Sequence, residues 1–192
     1  MKVVLIGVGA LGSNLVLCAR SIEGLEWTIV DFDRVEFKNT QSQFHPVTSI
    51  GKSKVESMRR TMFGLFKHRI DGRPVKLTDQ NVEQLLGGAD LVVDCLDNAP
   101  ARESLKAWTD RHDVPCLHGG VAEDGEFGIV RWDDNFAIDK ESAAGQQTCE
   151  AGEHTPFMLL VSSAMAVALQ EFAADSSRRL NFNITPESVQ RI

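Results

Sequence analysis

Apolar and polar positions alternate along this chain in a strand-then-helix rhythm that continues for about two thirds of its length. Val3-Val4-Leu5-Ile6 is an unbroken apolar run, the pattern of a short strand covered on both faces. From Ala10 to Ile22, Leu11, Leu15, Val16, Cys18 and Ala19 return at helical spacing and predict a helix with one buried side. Trp27-Thr28-Ile29-Val30 reads as a second strand. Arg34 to Ile50 has no period, is rich in Asn, Gln and Ser, contains His45-Pro46, and is expected to be a loop. Gly51 to Arg69 is helical, with Val55, Met58, Met62, Leu65 and Phe66 as its apolar side, and Pro74-Val75-Lys76-Leu77 is expected to be a short strand. A brief helix at Val82 to Leu86 leads to a buried parallel strand, Ala89 to Cys95, and then to a helix from Ala99 to His112 with Pro100 in its first turn. Pro115-Cys116-Leu117-His118 is one more core strand.

Beyond Gly119-Gly120 the rhythm changes. Glu126 to Trp132 alternates as an edge or antiparallel strand does, and about 133–155 is a polar crossover loop long enough to suggest function. An apolar helix from Phe157 to Phe172 and a strand at Leu180 to Ile184 close the chain. With no repeat or linker in sight, residues 1–192 read as one domain. The predicted class is α/β: a Rossmann-like, mostly parallel sheet with helices on both faces and a C-terminal antiparallel extension.

The turn after the first strand adds chemistry to this pattern. Gly7-Val8-Gly9-Ala10-Leu11-Gly12 lets a strand turn at once into a helix whose bare N–H groups point at an anion. Asp31 ends the second strand about 20 residues further on, where an acid accepts ribose hydroxyls. Strand, glycines, amphipathic helix and terminal acid in register predict a nucleotide cradle without saying which nucleotide it holds.

Composition narrows the partners. Of 192 residues, 43% are apolar and 24% charged, with a net charge of −7. This excludes the basic footprint of a protein that binds nucleic acid or an anionic membrane. No apolar run in the sequence approaches the roughly 20 residues of a membrane span, and Met1-Lys2 leads directly into a core strand, so a cytoplasmic location is expected. The four cysteines, Cys18, Cys95, Cys116 and Cys149, lack C-x-x-C spacing. Three fall in apolar segments and read as buried thiols, whereas Cys149 lies in the polar loop.

Several separated stretches together resemble the MoeB/ThiF/HesA family, the adenylating domain shared with ubiquitin-activating enzymes. They are Gly7 to Gly12; Asp31-Phe32-Asp33-Arg34-Val35 with Asn39-Thr40-Gln41-Ser42-Gln43; Gly51-Lys52-Ser53-Lys54; Asp94-Cys95-Leu96-Asp97-Asn98; and Thr148-Cys149 with Pro156. The resemblance covers nearly the whole chain. It implies an enzyme that uses ATP and Mg2+ to turn the C-terminal carboxylate of a small ubiquitin-like or sulfur-carrier protein into an acyl adenylate. It places Gly7, Gly9, Gly12, Asp31, Asp33, Asn39, Gln43, Lys54, Leu96 and Asn98 around the nucleotide, Lys54 at the phosphates and Asp97 on the metal. The reaction brings two anions together, so a fixed cation and a metal are what it requires. Arg102 matches a family arginine, although a surface ion pair accounts for it equally well.

The chain departs from the pattern in three places. Ser42 stands where relatives carry an arginine that contacts the terminal phosphate; with the first strand read from residue 2, no leading helix with a second phosphate arginine is expected; and the paired C-x-x-C motifs of zinc-bearing relatives are absent, so no zinc is expected. The resemblance leaves two readings for Cys149, a thioester-forming nucleophile or a cysteine that adenylation does not need. His154 would activate its thiol, and Glu150 and Glu153 would oppose that. Relatives pair as dimers, and the apolar helix from Phe157 to Phe172 suits a homodimer or heterodimer that supplies the lacking cation. Two other function classes compete: a non-catalytic scaffold subunit, favoured by the absent arginines, and an NAD-dependent oxidoreductase, for which the glycine loop and Asp31 serve equally well.

Overall fold

The computed structural model describes residues 1–136 and 152–192. At its centre is β1 (Lys2–Ile6), which pairs in parallel with β2 (Glu26–Val30) on one side and with β4 (Leu91–Asp94) on the other. Beyond β2 lies β3 (Asp71–Arg73), and beyond β4 lies β5 (Cys116–Val121), both parallel. Then β6 (Gly128–Trp132), β7 (Phe182–Thr185) and β8 (Ser188–Arg191) continue the sheet antiparallel. The order β3-β2-β1-β4-β5-β6-β7-β8 reverses direction between β1 and β4. In an open parallel sheet a crevice forms at that switch point, beyond the carboxyl ends of the strands, and ligands bind there. The expected fold class is therefore what the chain adopts.

Alternation along the strands builds two cores. Val3, Leu5, Trp27, Ile29, Leu91, Val93 and Leu117 face α1 (Ala10–Cys18), α2 (Lys54–Phe66) and α5 (Thr155–Ala174). Val4, Ile6, Val30, Val92 and Cys116 face α3 (Val82–Leu86) and α4 (Ala99–His112). The long helix α5 lies along α1, and Ser162 Oγ–H donates to the Leu11 carbonyl at 3.1 Å.

Several expectations need correction. The first helix ends at Cys18, and a 3-10 turn at Ala19–Ser21 completes the segment. The third strand is Asp71–Arg73, not Pro74 to Leu77. As an edge strand it needs backbone pairing rather than apolar side chains, and Pro74, lacking an N–H, ends it. Gly72 belongs there because a Cβ would lie 2.3 Å from Val55 Cγ1 on α2. Leu65 and Phe66 are exposed, since Val55, Met58 and Met62 are the large apolar residues that α2 turns inward. β8 was absent from the sequence reading because Ser188-Val189-Gln190-Arg191 has no continuous apolar signal. The loop expected at 34–50 contains 3-10 turns at Phe37–Gln41 and Val47–Ser49. Finally, α5 has 20 residues, and its mean hydropathy of 1.6 meets the length and composition of a membrane span, contrary to the reading of the sequence. Its 56% burial against α1 and the sheet is that of a core helix.

Candidate nucleotide-binding site

The glycine loop leaves β1 at the switch point, and two of its glycines answer steric constraints. Gly7 has φ +91°, and a Cβ on it would meet the Cys95 carbonyl oxygen at 2.6 Å. A Cβ on Gly12 would strike the Gly7 carbonyl oxygen at 1.9 Å. Nothing lies within 4 Å of a Cβ on Gly9, the N-cap of α1, which has no side-chain cap. The loop thus packs against the end of β4 and leaves the start of α1 open.

Both backbone groups of Val8 are pinned. Its N–H donates to Asp31 Oδ2 at 2.7 Å, and His45 Nε2–H donates to its carbonyl at 3.0 Å. Because a carbonyl only accepts, the proton of His45 sits on Nε2, and Ser57 Oγ–H donates to Nδ1 at 3.1 Å. Burial, with the Lys54 charge nearby, lowers the His45 pKa to about 4 against the pull of the Val8 carbonyl, so the ring is neutral. The other oxygen of Asp31 accepts the Asp33 N–H at 2.8 Å. Burial raises the Asp31 pKa in spite of Lys54 and these two N–H groups.

Lys54 is not a solvated helix lysine. It is 4% exposed, opens α2, and donates Nζ–H to Asp33 Oδ2 at 2.9 Å. The chain around it is laced to the segment after β2: the Lys54 N–H donates to the Asp33 carbonyl, and Val35 N–H to the Lys52 carbonyl. Asp31, Asp33 and Lys54 therefore form one connected charged group.

The other expected residues divide. Asn39 is buried, and its side-chain oxygen accepts the Glu36 N–H at 2.8 Å within a capping box, a role inside its own loop. Gln43 is buried with Oε1 unpartnered, an orphan acceptor of the kind that a donor on a nucleotide would satisfy. Asn98 caps α4, its Oδ1 accepting the Ala101 N–H at 3.1 Å. Asp97 is exposed past the end of β4, where its Oδ1 accepts a long hydrogen bond from Asn98 Nδ2 at 3.4 Å. Cys149 lies outside the described residues. The loop over 42–45 is tied onto α1, because Asn14 Nδ2–H donates to the Ser42 carbonyl and Phe44 N–H to Ser13 Oγ.

The sequence reading missed a charged network beneath the Cys95–Asn98 turn. Arg102 is no surface pair: Nε–H donates to Asp94 Oδ2 at 2.9 Å, and Nη2–H groups reach the Leu96 and Gly119 carbonyls. His118 is 1% exposed, with Nδ1 2.8 Å from Asp94 Oδ2 and Nε2 3.0 Å from Asp133 Oδ1. A histidine embedded in a core strand was the available signal. Burial alone would lower its pKa, but hydrogen bonds to Asp133 and Asp94 and their charges raise it. Burial alone would raise the Asp94 pKa, yet Arg102 and His118 bring it below the usual carboxylate value. Cys116, His118 and Asp133 form a metal-like cluster among the described residues, but both ring nitrogens of His118 are turned to carboxylates and leave no lone pair to a cation.

A doubly wound sheet, a glycine loop at its switch point and an acid ending β2 define a nucleotide-binding α/β protein. The family model described as the ThiF family matches residues 1–185, and the chain belongs to that family. It is 29% identical over 175 residues to the molybdopterin-synthase adenylyltransferase of Salmonella typhimurium, covering 86% of this chain and 70% of that protein. It is 36% identical over 135 residues to the adenylyltransferase and sulfurtransferase MOCS3 of Drosophila virilis, covering 68% of this chain and 29% of that protein. Among solved structures, Escherichia coli MccB superposes on the whole chain with a TM-score of 0.80 at 13% identity, and the chain spans 63% of MccB. The named relatives are adenylyltransferases.

Proposed function

We propose that this chain adenylates the C-terminal carboxylate of a small ubiquitin-like or sulfur-carrier protein with ATP. The carboxylate oxygen attacks the α-phosphorus, the bond to the β-phosphate oxygen breaks, and acyl adenylate and pyrophosphate leave. The observation that carries this reading is Lys54, buried in the first turn of α2 and joined through Asp33 to the Asp31 group. Phosphoryl chemistry needs a fixed cation, and in this reading Lys54 supplies it. The open start of α1 receives phosphate oxygens on backbone N–H groups, and Asp31, whose two oxygens retain lone pairs beyond the two N–H bonds, takes ribose hydroxyls. Magnesium bound at Asp97 would neutralise charge developing on the departing pyrophosphate.

Ser42 in place of a family arginine leaves the terminal phosphate short of a cation. A second copy or a different protein across an interface supplies it in this reading, so activity should depend on protein concentration. Thioester formation is a separable second step: the Cys149 thiolate displaces AMP from the acyl adenylate. In a Cys149→Ala variant pyrophosphate exchange should persist while a thiol-sensitive adduct with the carrier disappears. An adduct surviving that change removes the role from Cys149.

The first step is tested by ATP–pyrophosphate exchange with carrier proteins ending in Gly-Gly. Exchange that needs both carrier and Lys54 supports adenylation. Intact exchange in Lys54→Ala takes Lys54 out of the reaction, and no exchange with any carrier at any protein concentration favours the scaffold reading.

A further inference from the structure

We propose that His118 is a positioning residue for adenylation: by bridging Asp94 and Asp133 it holds the Asp94–Arg102 clamp that fixes the Cys95–Asn98 turn at the nucleotide. The clamp closes on both backbone groups of Leu96. Its N–H donates to Asp94 Oδ1 at 2.9 Å, and its carbonyl accepts from Arg102 Nη2 at 2.5 Å. Arg102 also donates to the Gly119 carbonyl at 3.0 Å, which ties the turn to β5. The turn matters because Gly7 and Gly12 pack on Cys95 and because Asp97 follows Leu96.

Asp94 cannot hold this clamp by itself. It is fully buried, and its Oδ2 takes both Arg102 and His118. With Nδ1 and Nε2 each facing a carboxylate, the ring donates from both nitrogens and is an imidazolium. Two acids and two cations then balance, the condition under which buried charges are tolerated. Deprotonation would remove one donor and leave the two acids facing a single cation. Among the described residues, the groups facing His118 are Asp94 from β4, Arg102 from α4, Asp133 and the stacked Phe136 from the segment after β6, and Cys116 on its own strand. Arg131, opposite His118 on β6, is engaged with Phe182 and Asn183. Asp133 extends the network further, because its Oδ2 accepts the Cys116 N–H.

The proposal rests on the adenylation reading for its consequence but not for its geometry, and the test separates the two. In the unliganded protein, the Leu96 amide resonance should titrate with the same midpoint as the His118 ring, above the ordinary histidine value. Asn places an amide nitrogen near Nδ1, and Gln places one near Nε2. His118→Asn, which keeps a donor toward Asp94, should therefore disturb Leu96 less than His118→Gln, which keeps one toward Asp133. Exchange activity should fall about ten- to a hundredfold in His118→Gln, the scale for a partner that orients a metal-binding group. The alkaline limb of its pH profile should vanish, and His118→Asn should restore part of the loss. A Leu96 amide indifferent to His118 titration overturns the clamp, with or without foldable variants. A titrating Leu96 amide combined with no ATP exchange in the wild type leaves the clamp standing and removes the adenylation reading. An alkaline limb that persists in both variants assigns the pH dependence elsewhere and overturns the positioning role.

Discussion

The two sides of the switch point solve the burial of charge in opposite ways. On the β2 side, Asp31 and His45 are buried and both shift toward their neutral forms, Asp31 upward and His45 down to about 4. On the β4 side, Asp94 and His118 are buried at least as deeply and shift toward their charged forms. The difference is partnership. Asp94 has Arg102 and His118 within hydrogen-bond reach, whereas Asp31 has two backbone N–H groups and a lysine already given to Asp33. Unmet electrostatic demand beside an open helix N-terminus is what a binding site looks like before its ligand arrives, and a balanced network is what a support looks like. Gln43, with its orphan oxygen, belongs to the first side.

Breaking the balanced side should have the largest effect. Asp94→Asn removes the acid between Arg102 and His118, and the loss of one partner from a buried charge pair typically costs about 3–5 kcal/mol. Urea unfolding should show it, and a loss below about 1 kcal/mol would mean that the network is not balanced as described. Asp97→Ala should leave unfolding unchanged and reduce pyrophosphate exchange about 10²–10³-fold, or about 2.7–4 kcal/mol, as removal of a well-placed charged group does. A fall of less than tenfold with an unchanged melting temperature would take Asp97 out of the site.

The histidines should pull stability in opposite directions with pH. The unfolded chain protonates His45 near 6.5 and the folded chain only near 4, so stability is lost as pH falls between those values, by up to about 3 kcal/mol. For His118 the folded value is raised, so its contribution is complete below pH 6.5 and is lost as pH rises through that folded value. Denaturation midpoints across pH should fall on both sides, with His45→Asn flattening the acid limb and His118→Gln the alkaline one. Either variant leaving its own limb unchanged breaks the comparison. The smallest effect is expected at the start of α4, where Asn98→Ala should cost about 1 kcal/mol through loss of the cap.

What the sequence disclosed and what it hid follow from the range of the interactions. β1, the glycine turn and Asp31 are local in sequence and impose a strict period and a backbone conformation, so they could be read directly. Lys54 and Asp97 could be placed only because motifs surround them, and Lys54's burial against Asp33 was invisible. β3 was misplaced by a few residues because an edge strand with Gly72 needs no apolar side chains, and β8 carries no pattern at all. The network was hidden for another reason. Asp94 and Arg102 carry motif signals and His118 stands out as a histidine in a core strand, but nothing local joins them to one another or to Asp133, and only the parallel register of β4 on β5 brings Asp94 opposite His118. Asn39, expected around the nucleotide, has its side-chain oxygen in the cap of its own loop, a local bond that the motif did not disclose.

The most direct test of the central claim is calorimetric titration of the chain with ATP and magnesium, and separately with NAD. The account predicts measurable ATP binding that weakens in Lys54→Ala, with no binding of NAD. Micromolar binding of NAD with none of ATP would contradict it and give the glycine loop and Asp31 to a dinucleotide instead.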